Sequence, residues 1–220
     1  MSDDLLKLLG EQPLAPGVRV LLGLALLSLL PAIVTTATSF LRTIVVLSFV
    51  RQGVGTPQTP PNQVIVGLAL FLTLFTMSPV LDEMRVQAYE PFQRGEITDV
   101  QAFERASVPL KRFMLRETRE ADLELFYDAT HRALPATPDE VPLSIALPAF
   151  AVSELTTAFQ MGATLLLPFL VVDLVVATLL MSMGMMMVPP TTMSLPLKLL
   201  LFVLCDGWNL VAGTILRSFS

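Results

Sequence analysis

The chain alternates long uncharged runs with a single charged segment. Each uncharged run reaches or nearly reaches the roughly 17 to 25 residues that an α-helix needs to cross a bilayer. The runs lie at residues 20–41, 52–81, 155–172 and 174–197. The pattern predicts an all-α, membrane-associated protein with two long helical hairpins, one on each side of a polar helical segment.

This pattern divides the chain into four parts. They are an N-terminal lead at 1–17, a first apolar helical hairpin at 18–81, a polar helical segment at 82–147 and a second apolar helical hairpin with a Met-rich loop at 148–220.

Proline and glycine mark the bend inside each hairpin. The connector Gly53–Asn62 is dense in both residue types and contains Pro60 and Pro61. These residues preset turns and prevent a helix from continuing, so we expect a fixed bend there. In the second hairpin, Pro189 and Pro190 separate two apolar helices predicted at 148–188 and 191–219.

The charged segment is predicted to fold into two packed helices. Its apolar residues recur at helical spacing between residues 100 and 127. Thr98, with Gln101 three residues later, has the pattern of a capping box. Pro109 is expected to kink or divide the helix that follows.

Composition supports a membrane location and argues against a nucleic-acid partner. Hydrophobic residues make up 53% of the chain and charged residues 15%, against about 25% charged in an average soluble domain. Between residues 82 and 140, eight Lys/Arg face thirteen Asp/Glu, a difference of −5 that equals the net charge of the whole chain. Nucleic-acid binding relies on a basic surface, and this balance is the opposite.

The distribution of positive charge predicts an orientation. Arg42 and Arg51 flank the first bend, and no acidic residue lies near them in the sequence. By the positive-inside tendency, that bend faces the cytoplasm. The polar segment is then extracytoplasmic.

The sequence lacks the parts that an enzyme or a metal centre would need. His131 is the only histidine and Cys205 the only cysteine, so neither a Cys/His nucleophile nor a histidine-rich metal site can be assembled. Gly53-Val-Gly55 is followed by Thr and Pro without a lysine, unlike a phosphate-binding loop. We therefore predict no catalytic residue, no metal and no cofactor.

A few charged residues are embedded in the apolar runs, where an unpaired charge is expensive. They are Glu154, Asp173, Lys198 and Asp206. Lys198 is the natural partner of one of the three carboxylates, within one subunit or across a subunit boundary. A proton or ion relay through the carboxylates is the functional alternative.

Six of the eleven methionines fall between residues 181 and 193. They could simply pack a membrane helix. Because methionine is flexible and polarizable, a ring of such side chains from several subunits could instead close a pore and deform around a passing polypeptide. Gly184 and the proline pair make the segment irregular, and irregular backbone at membrane depth is tolerated chiefly where it is buried in protein or lines a cavity.

These residues carry a resemblance to a known family. Several blocks, which include Thr38–Arg51, Gly55–Val64, Ala149–Gln160, Met183–Pro190 and Ser194–Trp208, resemble the FliP family of flagellar export-gate proteins. The counterpart in the type III secretion injectisome is a more distant match. The block Arg116-Glu-Thr-Arg-Glu-Ala-Asp-Leu-Glu-Leu-Phe126 favours the flagellar form.

The resemblance implies an oligomeric gate. In it, five copies of this chain would assemble with FliQ and FliR into a helical cone in the bacterial inner membrane, at the flagellar basal body, with the helices largely on the periplasmic side. The resemblance also implies that unfolded export substrates pass through the gate. Met185, Met186 and Met187 would form its gasket, and Glu154 and Lys198 an ion pair between subunits.

Other functional classes remain open at this point. An injectisome gate subunit is one alternative. A secondary transporter or ion channel that uses Glu154, Asp173 and Asp206 is a second, and a purely structural membrane scaffold is a third.

Overall fold

The computed structural model describes residues 21, 24, 28, 31–56, 58–135, 137–185 and 187–219. All regular secondary structure in these residues is helical, as the sequence predicts. The helices are α1 (Phe40–Val54), α2 (Asn62–Met84), α3 (Glu90–Gln93), α4 (Asp99–Glu117), α5 (Glu120–Ala129), α6 (Leu143–Ser182), α7 (Pro190–Leu204) and α8 (Gly207–Arg217). The predicted lead at 1–17 lies outside the described residues.

The first apolar segment is interrupted before α1. Residues 31–36 are helical, and α1 begins only at Phe40. The hydroxyl of Thr36 donates to the carbonyl of Ala32 at 2.7 Å, and the Thr38 hydroxyl donates to that of Val34. These side-chain bonds satisfy backbone carbonyls at the end of the short helix.

The bend between α1 and α2 is tightly held. Gly55 ends α1 in a left-handed conformation (φ +86°), and its N–H donates to the carbonyl of Gln52 at 3.1 Å. Arg51 then reaches across the bend to the side chain of Asn62 and the carbonyl of Pro60. Pro60 therefore lies inside the bend, and Pro61 occupies the N-cap position of α2.

The second helix is longer than the uncharged run that predicted it. It continues from α2 through a π-helical turn at Arg85–Tyr89 into α3, and the whole rod covers Asn62–Gln93. Gly95, with φ +73°, follows its end.

The polar segment begins with the predicted capping box, which is confirmed. The Gln101 N–H donates to the hydroxyl of Thr98 at 3.4 Å, and the Thr98 N–H donates to the side chain of Gln101 at 3.1 Å. Pro109 is buried within α4, and the helix continues through it without being divided. The second predicted helix of the segment is α5.

The second hairpin differs from its prediction at the C-terminal arm. The helix α6 runs for 40 residues through Pro148 and Pro168. The single helix predicted at 191–219 is wrong, because α7 and α8 are bent by 63° relative to each other. Asp206 adopts a left-handed conformation at the break (φ 49°), and the backbone of Gly207 lies so close to the Phe202 ring that a side chain there would collide with it.

Length and composition make two helices of the described residues able to cross a membrane. They are the rod at 62–93 and α6. The bent pair α7–α8 would provide a third span if both helices count as one.

The core lies where α6 meets α1 and α4. Phe150 of α6 is fully buried, and its ring packs edge-to-face on Phe113 of α4 with 5.8 Å between centroids. On the other side, Phe159 of α6 packs in the same way on Phe49 of α1 at 5.1 Å. The polar segment and the first hairpin therefore both pack against α6.

The close approach of α1 and α6 depends on Gly162. A Cβ there would lie 3.0 Å from the Cβ of Phe49 and closer still to its ring. We predict that Gly162→Ala lowers the stability of the purified chain by about 1–3 kcal/mol, the usual cost of overpacking. Thermal unfolding in detergent measures it. In the control Gly67→Ala the new methyl meets open space among the described residues, so equal loss in both variants would contradict this explanation.

Candidate functional site

The methionine loop connects α6 and α7 and is exposed. In the single chain, Met183 is 72% exposed, Met185 40% and Met187 98%. Gly184 turns the chain with φ +77°, and the Met185 N–H donates to the carbonyl of Leu180 at 3.0 Å, which closes the end of α6. Met186 lies outside the described residues.

A polar cluster ties α6 to α7 behind this loop. The ammonium group of Lys198 lies 2.6 Å from a carboxylate oxygen of Asp173, and the Ser194 hydroxyl donates to the other oxygen. The side chain of Lys198 is only 7% exposed. Lys198 therefore pairs with one of the three carboxylates that the sequence offered, and the partner lies within the same chain. Pro190 begins α7, and Pro189 is its N-cap.

Glu154 has a different partner from the one that the resemblance implies. It is fully buried on α6, and Arg42 of α1 donates to both of its carboxylate oxygens, from Nε at 3.0 Å and from Nη2. The fold thus does not bring Glu154 and Lys198 together within one chain. An ion pair between subunits stays a prediction.

Arg42 contacts several elements at once, and the sequence did not predict this role. Its Nη1 donates to the carbonyl and the hydroxyl of Ser218 at 2.9 and 3.0 Å, and its Nη2 donates to Glu117 of α4 at 3.1 Å. The guanidinium carbon lies 3.8 Å from the centroid of the Phe219 ring, within cation–π range. An arginine within an apolar run indicates that a partner is needed. The sequence could not identify the partners, because they lie far from Arg42 along the chain.

A second polar cluster lies beside the Arg42 junction. Asp122 of α5 accepts hydrogen bonds from Arg119 at 2.7 and 2.9 Å and from the Ser153 hydroxyl. The backbone N–H of Arg119 donates to the same hydroxyl at 3.0 Å. Ser153 directly precedes Glu154 on α6, so both clusters bind the corner between α4 and α5 to one short stretch of α6.

Asp206 differs from the other charged residues of the apolar runs. It is exposed at the break between α7 and α8, where the side chain of Asn209 donates to it at 2.9 Å. Among the residues that the structure describes, no three His, Cys, Asp or Glu side chains lie close enough to hold a metal ion.

The Asp122 cluster generates a pH prediction. Its bond from Arg119 holds the pKa of Asp122 below the ordinary value of 3.8; burial opposes this effect and the Ser153 bond adds to it. A carboxyl with a lowered pKa stabilises the fold above its unfolded pKa, and the contribution disappears as the pH falls through the folded value. Asp122→Asn should therefore lower the melting temperature near neutral pH.

The pH dependence separates this effect from a general loss of packing. The difference in melting temperature between wild type and Asp122→Asn should shrink as the pH falls below about 4. Asp128→Asn, on the exposed face of the same helix, is the control and should behave as wild type. If the difference in melting temperature stays constant at pH values below about 4, the loss of stability does not come from the charge of Asp122.

Comparison with known proteins gives the family. A model described as the FliP family matches residues 23–215. Three proteins, each named flagellar biosynthetic protein FliP, are similar to the chain. The one from Pectobacterium carotovorum subsp. carotovorum is 51% identical over 210 residues, which cover 96% of this chain and 81% of that protein.

The other two relatives show that the similarity extends over nearly the whole chain. The protein of Aquifex aeolicus (strain VF5) is 48% identical over 212 residues, 96% of this chain and 89% of the relative. That of Bacillus subtilis (strain 168) is 48% identical over 202 residues, 92% of this chain and 91% of the relative. With two helices able to span a membrane, and with a family match that extends through the methionine loop, this chain belongs to the FliP family of flagellar export proteins.

Proposed function

We propose that this chain is the pore-forming subunit of the flagellar type III protein export gate. In this proposal it passes unfolded flagellar substrates through a channel that its methionine loop closes. The flagellar form is favoured over an injectisome gate subunit because the relatives described above are all named for flagellar biosynthesis.

The observation that carries the proposal is the exposure of the methionine loop. Its Met187 side chain is 98% exposed at the tip of a hairpin of two apolar helices. Large apolar side chains grouped on an exposed surface usually mark an interaction site. Several copies of this loop around one axis would cover each other and leave a deformable apolar ring that excludes hydrated ions.

Self-association accounts for apolar surface elsewhere on the chain. Many large apolar side chains of α2, α6 and α7 are at least half exposed in the single chain. Examples are Phe71, Phe75, Leu170, Leu174, Val203 and Leu204. Such faces suit contact with lipid or with neighbouring helices. We propose that five copies bind each other, FliQ and FliR in a helical cone, with other export components nearby.

The location follows from the same arrangement. We place the complex in the bacterial inner membrane, within the flagellar basal body and with the helices largely on the periplasmic side. The acidic segment around α4 and α5 would then face the periplasm, as the positive-inside tendency predicts from Arg51 at the bend. Arg42 does not contribute to that tendency, because it is buried and paired with Glu117 and Glu154.

An ion pair between Glu154 and Lys198 of neighbouring subunits would require both residues to exchange partners. Glu154 is held by Arg42, and Lys198 by Asp173. The same two pairs weaken the alternative of an ion channel or secondary transporter, because they engage two of the three carboxylates that a relay would use.

Replacing Met185, Met186 and Met187 by alanine should make the gate leak ions, because the smaller side chains leave an open ring. Potassium efflux and membrane potential in growing cells measure the leak. The matched control is Met193→Ala, which removes a half-exposed methionine from α7 outside the loop. If the complex assembles normally and its permeability is unchanged, the methionine loop does not seal the pore.

Substitutions that exchange the charges of a pair identify which carboxylate binds Lys198 in the assembled complex. Lys198→Asp should lower the yield of assembled complex, since Asp173 is left beside a like charge. Adding Asp173→Lys should restore it, because the pair is re-formed in reverse. Native mass spectrometry reports the assembled complex. Rescue of Lys198→Glu by Glu154→Lys instead would show that the pairs exchange between subunits, although a lysine there would face the buried Arg42.

A further inference from the structure

A single guanidinium connects elements that are distant along the chain. Arg42 is 2% exposed, and it binds α6 through Glu154, the corner of the polar segment through Glu117, and the residues after α8 through Ser218 and Phe219. The methionine loop lies between two of these attachment points, because α6 precedes it and α7–α8 follow it.

The residues after α8 are held from more than one side. The carbonyl of Phe219 accepts a hydrogen bond from Arg116 of α4 at 3.3 Å, and its ring stacks on Phe113 of α4 with 6.2 Å between centroids. Phe219 is 7% exposed. Its ring thus contacts both the guanidinium of Arg42 and the ring of Phe113, so the residues after α8 are held against α1 and α4 together.

The corner between α4 and α5 is held in the same place. Glu117 ends α4 and binds Arg42 and Arg116, while Arg119 and Asp122 bind Ser153 of α6. The corner and the residues after α8 therefore share Arg42 and Arg116 as partners.

We propose that Arg42 is a conformational latch, which couples the position of α8 to the position of the α4–α5 corner. A buried guanidinium that loses one acidic partner keeps its charge and must find another, because an uncompensated buried charge strongly destabilises a fold. Closely packed groups of this kind switch between discrete arrangements rather than deform gradually. The latch thus has two arms, namely the contact of Arg42 with the α4–α5 corner and its contact with the residues after α8. Loss of either contact loosens the other.

The consequence concerns the gate directly. Because α7 and α8 form the arm that follows the methionine loop, a displacement of that arm is transmitted through Ser218 and Phe219 to the polar segment. The latch thus links the loop to the part of the chain that carries most of the charge.

Spin-label distances within one chain test the coupling. Labels are placed on new cysteines at exposed positions in a Cys205→Ser background. One pair joins α5 to α6 (Glu124→Cys with Gln160→Cys), and the other joins α8 to α6 (Leu210→Cys with Gln160→Cys). Labelled chain is diluted with an excess of unlabelled chain in lipid nanodiscs, so that the measured distances lie within single chains.

Each test variant removes a contact that Arg42 makes at one end of the latch. Glu117→Gln removes the ion pair at the corner, and Ser218→Ala removes the hydroxyl after α8 to which Arg42 donates. Both leave the Arg42–Glu154 pair in place, so both are milder than Arg42→Gln, which could prevent folding. The controls are Glu83→Gln, which breaks the exposed pair with Arg112 between α2 and α4, and Ser78→Ala, which removes an exposed hydroxyl from α2.

The latch predicts a specific result. Both variants should broaden both distance distributions, including the one for the arm that the substitution does not touch, while the controls keep both distributions narrow. If each variant broadens only its own arm, or if neither distribution changes, the coupling is absent and the Arg42 cluster is only a packing contact. Broadening in the controls would likewise overturn the assignment to Arg42.

Discussion

The buried contact between Arg42 and Glu154 is the constraint on which the rest of the fold depends. Glu154 lies at the middle of the packed face of α6, and without Arg42 it would be a fully buried, uncompensated charge. Such a charge destabilises a fold strongly. The pair therefore fixes where α1 crosses α6, and the remaining hydrogen-bonding groups of Arg42 then determine where the polar segment and the end of α8 can attach.

A second ion pair stabilises a different part of the chain. Lys198 and Asp173 hold α6 and α7 together, and the methionine loop projects from the hairpin that they stabilise. The two pairs lie on different parts of α6 and have different surroundings, since Asp173 remains partly exposed while Glu154 is fully buried. The part of the hairpin nearer the loop is thus the more accessible one, which suits the proposed contact with other subunits.

Local rules predicted much of this architecture. The capping box at Thr98 and the bends at the proline pairs depend on residues close in sequence, and the structure has both. The same rules failed where tertiary contacts compete with them. Pro109 is buried within α4 and does not divide it, and the apolar run after Pro190 breaks at Asp206, where Gly207 lets the Phe202 ring approach the backbone.

The sequence by itself determined the helical class, the hairpins, the membrane-compatible segments and the scarcity of charge within them, since these follow from hydrophobic periodicity and local chain stiffness. It also restricted Lys198 to a few carboxylates. Only the tertiary structure decided that Lys198 pairs with Asp173 and Glu154 with Arg42. Which charges meet depends on how long helices cross, and that crossing is set by packing such as Gly162 against Phe49, which no local pattern encodes.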